Sequence, residues 1–267
     1  MYPHTDHLTD QPILDVRNLT VAYGETTVLD KLNFHLHPGE RVAVVGPNGA
    51  GKSTLFKVVA GVLAPSNGEV KVYGNEPGKH LCIAYIPQRS SVDWRFPVNV
   101  SDVVMMGRAA KMKPFSWPGH LDYQAVNRAL ETVDLRNLSK RQISQLSGGQ
   151  QQRMFIARAL AQEAELILMD EPLSGLDLPS QESVLAILET LHQTGVTVLV
   201  ATHDLEQASK YFDRIMLLNH KIIGFGTATQ VLTTDKLLQA FGGKLKIVDA
   251  DGATVTLDDS CCHGGDE

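Results

Sequence analysis

The stretch "RVAVVGPNGAGKST" (residues 41–54) leaves a folding chain few choices. Residues 41–46 are a short apolar run that stops at glycine, the pattern of a strand buried on both faces. "KSTLFKVVAGVLAP" (52–65) then takes up helical periodicity and stops at proline. Between them, residues 46–54 fit G-x-x-x-x-G-K-[ST], a pattern that carries meaning only between a strand and a helix. Gly46, Gly49 and Gly51, with Pro47, Asn48 and Ala50 among them, let the backbone wrap closely enough for its N–H groups to face a β-phosphate. Lys52 would bridge the β- and γ-phosphates, and the Ser53 hydroxyl, beside Thr54, would ligate Mg²⁺. The alternative, a glycine-rich turn that holds nothing, leaves the lysine and the hydroxyl pair without a role.

A second half of the site is expected from "LILMDEP" (166–172). A buried apolar strand would deliver Asp170 to its C-terminal end, within reach of the Mg²⁺ shell, and Glu171 would face the water that attacks the γ-phosphorus. Phosphoryl transfer needs positioning and charge neutralisation more than covalent help, so a carboxylate beside the metal serves as base or water-orienting group. A strand-end Asp-Glu pair can also be a mere helix cap. His203 ends the next strand, in "VATHD", as a structural hydrogen-bonder or as a contact to the γ-phosphate. Tyr23, in "VAYG", is either a strand-edge aromatic or a platform on which adenine stacks.

The rest of the chain reads as α/β. Alternation in 13–24 and 31–39 predicts antiparallel strands, and 69–74 and 81–87 return to strand character. Helical periodicity dominates from about 89 to 165, with Ala125, Ala129, Leu130 and Val133 on one stripe of 122–135 and a further helix over 150–162. "LILMD" and "VTVLVATH" (196–203), separated by a helix over 180–195, form a βαβ unit and hence a parallel sheet. A hairpin over 213–226, a helical piece and a last hairpin turning at Asp251-Gly252 close the chain.

"LSGGQQQR" (146–153), together with the phosphate loop, "DEP", "SGLD" (174–177) and "THD", resembles the ATP-binding subunits of ABC transporters over residues 13 to about 232. The order of the motifs is far more specific than any one of them. The resemblance implies a P-loop NTPase core with a mixed, mainly parallel sheet, an antiparallel β subdomain and an inserted α-helical subdomain. The boundaries expected are a tail over 1–12, a core over 13–88 and 166–232, helices over 89–165, an extension over 233–257 and a flexible tail over 258–267. It also implies that Gln88 joins the Mg²⁺ site to the helical subdomain and contacts both ATP and metal. Ser147, Gly148, Gly149 and Gln150 would then contact the γ-phosphate of ATP held by a second copy, with Asp177 at the same interface. The residues agree with this: a Ser-Gly-Gly turn before a helix is another anion-suited helix start, in a chain that already has one for its own phosphates. The implied assembly is a head-to-tail dimer clasping two ATPs.

One segment is too apolar for an ordinary loop. "SSVDWRFPVNVSDVVMMGR" (90–108) carries Trp94, Phe96, Met105 and Met106 just after Gln88. In the resembled family this region receives a short cytoplasmic helix of the transmembrane permease, and methionines and aromatics suit such a groove. Val103 and Val104 are assigned to the subdomain core instead, while Trp94, Phe96, Met105 and Met106 are expected to be exposed as permease contacts. The segment from Tyr85 to Arg108 further resembles the manganese, zinc and iron uptake cluster of bacterial ABC ATPases. That implies an importer of a divalent metal, manganese first and zinc next, fed by an extracytoplasmic binding protein and working at the cytoplasmic face of the bacterial plasma membrane.

Composition closes off other classes. A net charge of -6 gives no electrostatic reason to expect nucleic acid as partner. No apolar run is long enough to span a bilayer, and "MYPHTDHLTD" does not read as a signal peptide. A soluble ABC-type ATPase of translation or DNA repair would carry a long coiled coil or a second cassette, and a guanine nucleotide enzyme an N-K-x-D-like reader; neither occurs. Cys261, Cys262 and His263 offer zinc-type ligands, but adjacent cysteines lack the spacing of a structural site, so a mobile tail is expected, with His4 and His7 equally plain.

Overall fold

Alternation along four strands decides the architecture. In β6 (Leu166–Asp170), Leu166 and Leu168 face one core while Ile167 and Met169 face another. β7 (Thr197–Thr202) divides Leu199 and Ala201 from Val198 and Val200 in the same way. β3 (Arg41–Val45) and β8 (Arg214–Asn219) send Val42, Val44, Met216 and Leu218 to the first core, and Ala43, Val45, Ile215 and Leu217 to a third. Strands covered on both faces have no polar side to alternate with, hence their unbroken apolar sequences. These features come from a computed structural model, which describes residues 11–77, 82–113 and 115–242 and the backbone of 245–248 and 254–257.

With β5 (Ile83–Ile86) and β9 (Lys221–Gly226), these strands form one sheet in the order β5-β6-β7-β3-β8-β9. All neighbours are parallel except β8 and β9, which close it as an antiparallel hairpin. The first core is covered by α1 (Lys52–Val59) and by an antiparallel sheet of β1 (Leu14–Tyr23), β2 (Thr26–Leu36) and β4 (Asn67–Val72) in the order β2-β1-β4. The second is filled from α2 (Val100–Met106), α3 (His120–Thr132), α4 (Gly148–Ala161) and α5 (Leu178–Gln193). The third lies under α6 (Leu205–Tyr211), α7 (Ala228–Val231) and α8 (Thr234–Phe241). β10 (Leu245–Val248) pairs antiparallel with β11 (Thr254–Leu257) as expected. The turn at Asp251-Gly252, the tail over 258–267 with Cys261, Cys262 and His263, and His4 and His7 all lie outside the described residues.

Among the helix boundaries that differ from expectation, two have clear local reasons. α1 stops at Val59, well short of Pro65, because Gly61 takes a left-handed backbone at φ 71°. Its N–H bonds to Val58 O at 2.9 Å, and that of Val62 reaches back to Lys57 O at 2.8 Å, which satisfies the last carbonyls of the helix. α5 starts at Leu178 rather than Ser180, because the Asp177 carboxylate accepts the Ser180 N–H at 3.0 Å and caps the helix earlier.

The helical block is tied by one buried cation. Arg108, just past α2, is 1% exposed. Its Nε lies 3.0 Å from Asp122 Oδ1 in α3, and its Nη1 lies 3.0 Å from Glu163 Oε2 and 2.9 Å from Ala161 O at the end of α4. Asp122 meanwhile accepts the Gly119 N–H at 2.9 Å, so one carboxylate caps α3 and fixes it to the arginine. Glu163 also pairs with Lys111.

Candidate active site

The phosphate loop leaves the C-terminal end of β3, between its neighbours β7 and β8, and passes directly into α1. Glycine at the junction is obligatory: Gly51 sits at φ 97°, and a Cβ there would stand 2.5 Å from Leu29 Cδ2. No side chain caps α1, so the N–H groups of its first turn are open to a ligand. The Lys52 side chain is buried in the loop, its Nζ donating to Gly46 O at 2.6 Å and to Pro47 O at 3.2 Å. Burial pushes the Lys52 ammonium below its ordinary range, partly offset by the nearby carboxylates of Glu171 and Asp170. Those carbonyls hold the cation where a triphosphate would compete for it. Asn48 and Gly49 are exposed at the tip, Ala50 is buried, and Ser53 is exposed while Thr54 is half-buried.

Asp170 ends β6 and is buried. Burial lifts its carboxyl above the usual range, while the Ser53 hydroxyl, within hydrogen-bonding reach, pulls it down. An alcohol and a carboxylate oxygen at one point are hard donors suited to Mg²⁺, which takes few protein ligands and completes its shell with water and phosphate oxygens. The donor set therefore fits that ion.

Glu171, next in line, has φ 49°, rare for a residue with a side chain, and donates its N–H to Ala201 O at 3.0 Å. The bend turns its carboxylate toward β7, where Oε1 lies 3.6 Å from Nδ1 of His203. Chiefly through that imidazole, the carboxyl is held below its usual range although burial opposes this. Gln88 Nε2 donates to the other oxygen, Oε2, at 3.4 Å. Gln88 thus meets the site through Glu171. Glu171 and His203 line one small cavity with Ser174, Thr202 and Gln207.

Ser147 caps α4: its hydroxyl accepts the Gln150 N–H at 3.3 Å, while its own N–H goes to Gln150 Oε1 at 3.0 Å. The turn packs against the start of α5, so that a Cβ on Gly149 would stand 2.4 Å from Ser180 Oγ. Among the described residues, no hydrogen bond or ion pair joins 147–150 to the phosphate loop of the same chain. Asp177, exposed, is occupied in capping α5, and Tyr23 ends β1 with its ring half in solvent.

The apolar segment departs from expectation at two residues. Phe96 and Met106 are exposed, 58% and 47%, but Trp94 and Met105 are half-buried against the helical core. Trp94 packs edge-on to Phe155 with ring centroids 5.6 Å apart, and its Nε1–H donates to Arg89 O at 3.2 Å. An indole has one donor to satisfy, and a loop carbonyl next to an aromatic shelf satisfies it inside the chain. Val103 and Val104 are core residues, as expected.

Two residues were missed from sequence. Arg89 Nη2 donates to Gln151 Oε1 at 3.0 Å, linking the segment after Gln88 to the first turn of α4. Tyr85 extends toward Asp170, and burial, with that carboxylate, raises its hydroxyl to about 12. Nothing short of the fold would have found Arg89, since its partner is distant in sequence; Tyr85 could have been flagged as the one polar-tipped residue in a strand neighbouring Asp170.

Known proteins resemble the chain over most of its length. The ABC transporter family matches residues 29–174. The manganese transport system ATP-binding protein MntB of Bacillus subtilis is 42% identical over 233 residues, 87% of this chain and 93% of that protein. The zinc transport system ATP-binding protein TroB of Treponema pallidum is also 42% identical, over 87% of this chain and 88% of its own. The chelated iron transport system protein YfeB of Yersinia pestis is 41% identical over 92% and 84%. Among solved structures, an inward-facing metal-chelate type ABC transporter aligns with a TM-score of 0.77 at 34% identity, over 92% of this chain and 96% of that one. A dimeric ATP-binding cassette in a post-hydrolysis state with ADP and phosphate aligns with a TM-score of 0.70 at 27% identity, over 80% and 98%.

Proposed function

The chain belongs to the ABC transporter family as an ATP-binding subunit and ATPase, and from that premise we propose that it powers import of a divalent transition metal through a separate permease. Manganese is the first candidate cargo, with zinc and iron next, because relatives of similar identity are named for each. The observation that carries the catalytic reading is the Glu171 carboxylate, held ionised and aimed between His203 and Gln88 at the ends of β6 and β7.

The residues divide the work as follows. The backbone from Gly46 to Thr54 wraps the phosphates, and Lys52 exchanges the loop carbonyls for β- and γ-phosphate oxygens. Tyr23 presents its ring to adenine. Ser53 and Asp170 hold Mg²⁺, assisted by Gln88; the ion, when bound, neutralises charge on the phosphate oxygens. Glu171 orients a water in line with the γ-phosphorus and takes its proton, and His203 fixes the carboxylate and reaches the γ-phosphate. A second copy, packed head to tail, supplies Ser147, Gly148, Gly149 and Gln150 with Asp177 nearby, so that each ATP is clasped by two subunits. The permease would dock where Phe96 and Met106 are exposed, with Trp94 and Met105 as the floor. It places the subunit at the cytoplasmic face of the bacterial plasma membrane, with an extracytoplasmic metal-binding protein as an indirect partner.

Accumulation of radiolabelled manganese and zinc in cells with and without the chain tests the cargo. Loss of manganese uptake on deletion, restored by the wild-type chain but not by Glu171→Gln, is expected. Unchanged uptake of manganese, zinc and iron would remove the metal reading and leave the ATPase intact.

A further inference from the structure

Among the described residues, the most exposed large apolar side chains play no part in the site above. Phe115 is fully exposed and Trp117 is 92% exposed, in the connection between α2 and α3. Leu121 and Tyr123, in the first turns of α3, are each about half exposed at 54% and 52%. A Lys113–Ser116 turn, in which Ser116 N–H and Oγ both donate to Lys113 O at 3.1 and 2.8 Å, holds Phe115 at φ 62°. That left-handed backbone is strained for a bulky residue and turns the ring away from the fold.

Charge indicates what the patch meets. The chain carries a net charge of -6, yet from Val103 to Leu130 its one carboxylate is Asp122, buried and paired with Arg108. Lys113, His120 and Arg128 are exposed over the same stretch. Within that stretch the exposed charged side chains flanking the two rings are therefore basic, and the carboxylate that reaches it from beyond α4, Glu163, is paired with Lys111 and Arg108. Tryptophan and phenylalanine with basic neighbours are the composition of a segment lying in the headgroup layer of a membrane, where the ring is buried and the cation meets anionic lipid. The same block exposes Phe96 and Met106. We propose that the Phe115–Trp117 loop is a membrane anchor that inserts into the interfacial layer of an anionic bilayer, a contact made by this subunit itself and independent of the transport reading.

Flotation of the purified full-length chain with phosphatidylglycerol/phosphatidylethanolamine vesicles, against phosphatidylcholine vesicles, tests it. The wild type should float with the anionic vesicles and much less with the neutral ones. Phe115→Ser/Trp117→Ser should lose about tenfold or more in partition, as expected for two aromatic side chains withheld from the interface. Lys113→Glu/Arg128→Glu should lose partition on anionic vesicles alone. These surface variants leave the core untouched, and far-ultraviolet circular dichroism checks the fold. The chain has two tryptophans, so in a Trp94→Phe background the emission of Trp117 should shift to the blue with anionic vesicles. Equal flotation of wild type and the double serine variant overturns the proposal, as does equal partition onto both lipids. It is likewise overturned if the wild type floats with neither lipid while the serine variant loses permease-stimulated ATPase, an outcome that assigns the loop to the permease.

Discussion

Glu171 stands in a backbone conformation that glutamate adopts at a cost of about 1–3 kcal/mol, at the head of a turn in which its carbonyl accepts the Ser174 N–H at 3.2 Å. The bend serves the direction of the carboxylate. Glu171→Gln should therefore lower turnover at least about a hundredfold while ATP still binds, measured as phosphate release beside nucleotide affinity. Glu171→Gly should be just as inactive yet unfold at a higher urea concentration, by about 1 kcal/mol, because glycine accepts φ 49° freely. A drop in stability for the glycine variant would mean that the contacts to His203 and Gln88 outweigh the strain. Cys82 makes a second test of burial. Burial, with Glu165 nearby, raises its thiol to about 11, which at mildly alkaline pH leaves roughly a hundredfold less thiolate than an ordinary cysteine. Iodoacetamide at that pH should spare Cys82 in the native chain and modify it in urea, read by peptide mass mapping.

The join of α2, α3 and α4 rests on Arg108, so Arg108→Ala should destabilise the chain by about 3–5 kcal/mol in urea unfolding, by leaving the buried Asp122 carboxylate without its cation while Glu163 keeps Lys111. Glu163 gives the same cluster a pH dependence. Burial raises its carboxyl, but Lys111 and Arg108 outweigh that and hold it below the usual range. A carboxyl depressed in the fold stabilises above its unfolded value, and that contribution is lost as pH falls through the folded value. Wild type should thus lose stability on acidification below the ordinary carboxylate range, and Arg108→Ala should lose less over the same interval. None of this was legible beforehand. The core strands were, because burial on both faces writes itself as apolar runs such as "LILMD" and "RVAVV", and the phosphate loop was, because its spacing is a backbone requirement. The premature end of α1 at Gly61, the inward turn of Trp94 and the Arg108 cluster depend on partners distant in sequence or on a single torsion, and no local pattern records them. Phe115 and Trp117 were overlooked for the opposite reason: aromatics between Lys113 and Asp122 resemble core residues until the fold leaves them outside.

For the molecule as a unit, the strongest expectation concerns assembly. Among the described residues, the Ser147–Gln150 turn makes no hydrogen bond or ion pair to the phosphate loop of its own chain, so Glu171→Gln with ATP and Mg²⁺ should run as a dimer in size-exclusion chromatography with light scattering, and as a monomer with ADP. Adding Ser147→Arg should abolish the dimer without weakening ATP binding; a monomer under every condition would refute the clasp. The chain also holds a short mechanical train. Glu171 is gripped by Gln88; the next residue, Arg89, holds Gln151 at the head of α4 with its guanidinium and the Trp94 indole with its carbonyl. So few joints lie between them that there is little slack to absorb movement. Whatever draws the carboxylate toward a terminal phosphate must also tug on a helix and on the aromatic shelf beside Phe96, as a lever moves at both ends.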